Sequence, residues 1–241
     1  MRLLTRVLGI GLAVVLLIAG VGLFWVFFYS RDLPNIDTLT LFAPTQEAHV
    51  SDPCLPGASV AIPYESIGDN LRAALSVAEG SEEGPGLLAE MYHWLAGNVI
   101  SHKGPYSWLI SRTTFCAPSK NLTRQAREIR TAVQLERRFS RRELFTIFAN
   151  RAWFGDGQVG VEAAAQHFFQ KEPNRLQVEE AALLAGLIQR PAYLSPITHP
   201  DRALKRRNEV IDAMVEAHAI DPKEGQTAKG SALGVVGSSS R

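Results

Sequence analysis

The chemistry this chain could do is concentrated in a few ionisable side chains. Glu79 closes an apolar run, LRAALSVAEG, directly before a turn rich in glycine, glutamate and proline. A carboxylate at or just past a helix C-terminus faces the negative end of the helix dipole. That favours its protonated form and suits it to exchange a proton near neutral pH. The same residue also reads as an ordinary solvated acid in a turn. Further on, Lys120 precedes Arg124 and Glu128, which lie four apart on one helical face. On its own spacing the pair reads as an ordinary exposed ion pair, worth under ~1 kcal/mol. Two other apparent signals point nowhere. The six histidines show no metal-ligand spacing. Gly155, Gly157 and Gly160 match GxGxxG, but a helix precedes them where a dinucleotide fold needs a strand, so they read as a tight turn.

The elements that must position these residues are mostly helical. Asp69 is placed to cap a helix whose apolar face is Leu71, Ala74, Leu75 and Ala78. A second amphipathic helix is predicted over Leu87–Ile100, followed by a loop over Ser101–Ser119. Thr123 is placed to cap the helix carrying Arg124 and Glu128, with Ile129, Ala132 and Val133 as its buried stripe. Ser140 and Glu143 form a capping box, with Phe139 and Leu144 as its hydrophobic staple, so a helix junction falls at Ser140. Helices are predicted over Val161–Phe169, over Glu179–Gln189 (apolar enough to be central, and ended by Pro191) and over Pro200 to about Ala219. The segment from Asp221 to Arg241 carries little to bury and is expected to lack order. The resulting division is a stub and anchor over 1–30, a tether over 31–66, a folded domain over 67–220 and a tail over 221–241.

Composition narrows the setting. The chain's 25 basic and 24 acidic residues nearly cancel, which argues against a nucleic-acid partner held by phosphate attraction. Val7–Tyr29 is uncharged and long enough to cross a hydrocarbon layer. Arg2 and Arg6 before it keep the N-terminus cytoplasmic, and the aromatic residues from Phe24 to Tyr29 suit the far interface. The sequence SRDLP after it is no signal-peptidase site, so it reads as an uncleaved single-pass anchor. Cys54 and Cys116 would then lie in an oxidising space, either as a disulfide or as two buried thiols.

The run Arg124-x-x-x-Glu128, LERRFSRRELF, NRAWFGDGQVGVEAAAQHFF and EEAALLAGLIQRPAYLSP resembles the peptidoglycan glycosyltransferases, glycosyltransferase family 51. These are the monofunctional transglycosylases and the glycosyltransferase domains of class A penicillin-binding proteins. The resemblance spans roughly Asn70 to Ala219. It implies a mainly α, lysozyme-like domain with one N-terminal transmembrane helix, at the bacterial cytoplasmic (inner) membrane and on its periplasmic or outer face. It also implies an enzyme that polymerises lipid II onto a nascent glycan strand with inversion, releasing undecaprenyl pyrophosphate. Glu79 falls on the family's general base, Lys120 and Arg124 on its pyrophosphate-holding cations, and Glu128 on its second glutamate. No tightly bound cofactor is implied, although a divalent metal such as Mg2+ can accompany the substrate pyrophosphate. Other cell-wall synthesis proteins are the implied partners.

The chain departs from the family in its first two motifs. In E-D-x-x-F-x-x-H-x-G, the aspartate, phenylalanine and histidine positions hold Gly80, Glu83 and Gly86. In the second motif the two glutamines are Cys116 and Ala117, and the glycine pair is Ile110 and Ser111. Gln125 stands for the lysine of R-K-x-x-E. An alternative reading follows: a catalytically impaired relative that binds lipid II or glycan as a cell-wall scaffold. Glycan cleavage is a third reading, with nothing but the shared fold behind it.

Overall fold

In the computed structural model, the described residues are 11, 13, 15–24, 28, 33, 36–44, 46, 48–51, 58–79, 106–114 and 122–236. Helices dominate them: α1 (Asp69–Glu79), α2 (Tyr106–Thr114), α3 (Leu122–Arg138), α4 (Arg141–Arg151), α5 (Val161–Phe169), α6 (Val178–Leu187), α7 (Pro200–Glu216) and α8 (Pro222–Gly230). Two short antiparallel hairpins accompany them. β1 (Ala48–Ser51) pairs with β2 (Ala58–Ala61), and β3 (Trp153–Gly155) pairs with β4 (Gln158–Val159). The expected mainly α architecture is what forms; the hairpins are too short to leave a period-two pattern in the sequence.

Helix α1 buries Leu71, Ala74, Leu75 and Ala78, the stripe its spacing predicts, and packs on α6 and α7. Helix α2 packs on α3 and α4. The helices α4 and α6 are buried almost all round, Leu144 to Arg151 in one and Ala181 to Leu187 in the other. A helix enclosed on every side belongs to a core, so these two are the posts of the domain. The α3–α4 junction is set by its capping box. The Glu143 backbone N–H donates to Ser140 Oγ, and the Ser140 N–H donates to Glu143 Oε2 at 2.7 Å. That N–H and the Ser140 hydroxyl, which donates to the same oxygen at 2.8 Å, hold the Glu143 carboxyl below the ordinary glutamate range. Phe139 and Leu144 are both buried beside the junction.

Several expectations need correction. Tyr106–Thr114 is helix α2, not loop, because Tyr106 and Ile110 bury one four-residue step while Ser107 and Ser111 bury the next. Ser107 Oγ also donates to Glu136 Oε1 on α3 at 2.9 Å. The buried face of α3 is Ala126, Thr131, Ala132 and Leu135, leaving Ile129 and Val133 half-buried, and Thr123 lies inside the helix. The tether is part of the domain as well. Leu39 and Phe42, on a 3-10 turn over Ile36–Phe42, enter the core with Ala61 and Ile62.

The tail expected to lack order instead carries α8. Asp221 caps it, accepting from the Glu224 N–H at 2.8 Å, and Pro222 occupies the first turn. The buried Arg207 guanidinium then donates to the carbonyls of Lys229, Ser231 and Ala232 at 3.0, 2.8 and 3.2 Å. Val235 is buried, and the Val236 N–H donates to Phe168 O at 2.8 Å. The predicted helix over Leu87–Ile100, together with Cys54 and Cys116, lies outside the described residues. No helix among the described residues is long and apolar enough to cross a membrane. Within Val7–Tyr29, residues 11, 13, 15–24 and 28 are described; all are helical, with side chains such as Leu16, Ile18 and Leu23 exposed.

Two features fasten the end of α4. Asn150, fully buried at the end of α4, donates from Nδ2 to Phe42 O and Ile62 O, both at 2.9 Å. Its Oδ1 accepts from the Ile62 N–H at 3.1 Å. Gly160, with φ of +85°, lies so close that a Cβ there would meet Asn150 O at 2.9 Å. Asn150→Ala leaves one buried N–H and two buried carbonyls without their partner, and should cost about 2–4 kcal/mol in urea unfolding. A loss under ~1 kcal/mol would show that this amide is not the clamp.

Candidate active site

The end of α1, the C-terminal part of α2, the start of α3 and the end of α4 converge on one cavity of about 460 Å3. Glu79 is the last residue of α1 and only 4% exposed. Gln189, just after α6, donates from Nε2 to Ala78 O at 3.4 Å and so braces the helix end that carries Glu79. Opposite in sequence but on the same cavity is Arg124 of α3. Its Nε donates to Glu128 Oε1 at 2.6 Å, and its Nη2 donates to the Arg112 carbonyl at 3.0 Å. The i, i+4 spacing therefore does what helical geometry allows: Glu128, 8% exposed, aims the guanidinium.

The structure thus brings three of the four sequence-read residues together. Glu79 and Arg124 share the cavity wall, and Glu128 joins through Arg124. Lys120 lies outside the described residues.

Other lining residues carried no signal in the sequence. Arg112 of α2, Arg151 of α4, Trp153 of β3 and Gln189 meet only through packing. Arg151 is 2% exposed, its guanidinium carbon lies 4.9 Å from the Phe42 ring centre, and burial lowers its pKa to about 10, so it stays charged at neutral pH. The other described lining residues, Leu109, Ile110, Phe148, Ala152 and Ile188, are apolar. One carboxylate facing several guanidiniums in a recess can deprotonate a hydroxyl while holding an anionic leaving group. Among the described residues no cluster of three or more His, Cys, Asp or Glu side chains could hold a metal ion.

The chain is similar to several known proteins. Residues 109–215 match the transglycosylase family. Penicillin-binding protein 1A of Aquifex aeolicus is 35% identical over 136 residues, 56% of this chain and 19% of that protein. Penicillin-binding protein 1F of Bacillus subtilis is 33% identical over 141 residues, 58% of this chain and 20% of its own. A crystal structure of penicillin-binding protein 1A from Haemophilus influenzae aligns over 54% of this chain and 16% of that one, at 23% identity and a TM-score of 0.38. The match to the transglycosylase family covers less than half of the chain. The chain spans about a fifth of the length of these curated relatives. The family match begins at Leu109, so Glu79 precedes it and enters the site through the cavity alone.

The half-buried Arg124–Glu128 pair should behave as a coupled unit. A double-mutant cycle of Arg124→Gln and Glu128→Gln, read by thermal unfolding, should give a coupling of about 1–2 kcal/mol, more than an exposed pair would. Additive effects would mean that Glu128 does not hold Arg124.

Proposed function

We propose that this protein polymerises lipid II into glycan strands with release of undecaprenyl pyrophosphate, on the outer face of the bacterial cytoplasmic membrane. The observation that carries the proposal is the shared cavity of Glu79 and Arg124, with Glu128 on the guanidinium. Glu79 is the general base: its carboxylate takes the proton from the 4-hydroxyl of the acceptor sugar. That oxygen attacks the anomeric carbon of the lipid-linked donor with inversion, and the bond to pyrophosphate breaks. Arg124, with Lys120 before it in sequence, holds the departing diphosphate, whose charge grows as the bond opens. Glu128 keeps Arg124 oriented. A divalent metal such as Mg2+ would arrive with that diphosphate and share its charge.

Support for anchoring comes from the uncharged Val7–Tyr29 stretch with Arg2 and Arg6 before it. The domain is read as lysozyme-like in consequence of the family it resembles. A second reading is favoured by Gly80, Glu83 and Gly86, which stand where the family supports its base. A base without its orienting neighbours loses orders of magnitude in rate, and the chain would then serve as a lipid II or glycan-binding scaffold.

With labelled lipid II, the purified protein should form polymer, and Glu79→Gln should reduce the rate at least ~100-fold while lipid II binding persists. Absence of polymer from the unsubstituted protein, under conditions where an authentic peptidoglycan glycosyltransferase polymerises, would select the scaffold reading.

A further inference from the structure

The described wall of the cavity holds more arginines than the sequence-read residues account for. Among the described residues, three arginines line it, Arg112, Arg124 and Arg151, against one lining carboxylate, Glu79. They come from three different helices, α2, α3 and α4. The Arg124 Nη2–Arg112 carbonyl hydrogen bond of 3.0 Å fixes the end of α2 against α3, so the two side chains belong to one wall. Arg112 is exposed and has room to follow a ligand, whereas Arg151 is almost wholly enclosed. An enclosed cation acts through a medium less polarisable than water and is screened little by salt. Gln125 is neutral and exposed, so the position after Arg124 adds no charge to this wall.

Deepening the glycosyltransferase reading on which it rests, we infer that Arg112 and Arg151 bind the diphosphate group together with Arg124, Arg112 from the rim and Arg151 from the floor. The bound chemistry is a diphosphate monoester or diester with its negative charge spread over several oxygens. Guanidinium groups can take such oxygens two at a time, a geometry that a single lysine cannot match. The arrangement also explains why charge can be lost at Gln125 without emptying the grip. Burial leaves Arg151 with a pKa of about 10, so its charge persists across the neutral range.

The test is calorimetric titration of the full detergent-solubilised chain with inorganic pyrophosphate and, separately, with farnesyl pyrophosphate. Arg112→Gln should weaken both about tenfold, as expected for loss of one charge-assisted contact, and should flatten the dependence of affinity on salt. Arg151→Lys, which keeps the charge should Arg151→Gln fail to fold, should bind better than Arg151→Gln and worse than the unsubstituted chain. Arg175→Gln, on an exposed turn paired with Glu172, should leave both titrations unchanged. Tighter binding of the farnesyl compound would place the ligand on a lipid carrier; equal binding would confine recognition to the diphosphate, and either upholds the inference. Unchanged affinity in Arg112→Gln, or no pyrophosphate binding by the unsubstituted chain, overturns it. A chain that binds diphosphate through Arg112 yet makes no glycan upholds the inference while removing the polymerase reading. A chain that makes glycan with binding indifferent to Arg112 does the reverse.

Discussion

The buried side-chain amide of Asn150 fastens the end of α4 to two strands of chain from much earlier in the sequence, at Phe42 and Ile62. A fully enclosed amide that makes these bonds admits one placement of its surroundings, because any slippage leaves polar atoms dry and unpartnered. The next three residues, Arg151, Ala152 and Trp153, line the cavity. Phe42 both receives the Asn150 bond and lies against the Arg151 guanidinium. The N-terminal segment therefore helps to build the site, although none of its described residues lines the cavity. On the other side of α4, the close approach of Gly160 to Asn150 O starts α5 at a fixed distance.

From that frame the electrostatics follow. Helix α1 delivers a carboxylate at its C-terminus, where the dipole gives it no help as an anion, and Gln189 ties that terminus to the end of α6. Guanidiniums arrive from α2, α3 and α4, and one of them is held by Glu128. The separation of roles is physical. A base needs a proton to take, and a leaving group needs cations that do not move as its charge develops. The apolar wall of Leu109, Ile110, Phe148 and Ile188 keeps the local medium weakly polarisable, which strengthens both effects.

Much of this was legible in the residues, for reasons that differ by element. The face of α1 and the capping box at Ser140 are local patterns, written within one or two helical turns. The Arg124–Glu128 contact is likewise local, set by a four-residue step. By contrast, Arg112, Arg151 and Trp153 become neighbours only when separate elements pack, and no spacing announces that. Helix α8 had a readable start in Asp221-Pro222-Lys223-Glu224, but its glycines and polar residues hid it. What orders it is a tertiary grip, Arg207 on three carbonyls, from a helix before it in the chain. The segment over Ile36–Phe42 was missed for a similar reason, since two apolar side chains make no pattern until a core covers them.

The account stands on one bond being broken, that between the donor sugar and its pyrophosphate. The most direct measurement counts both products of a single incubation with lipid II: disaccharide units incorporated into glycan and undecaprenyl pyrophosphate released. The account predicts that the two rise together in equal amounts, with the new linkage inverted at the anomeric carbon. Lipid II that is bound yet recovered intact, with neither product formed, would contradict it.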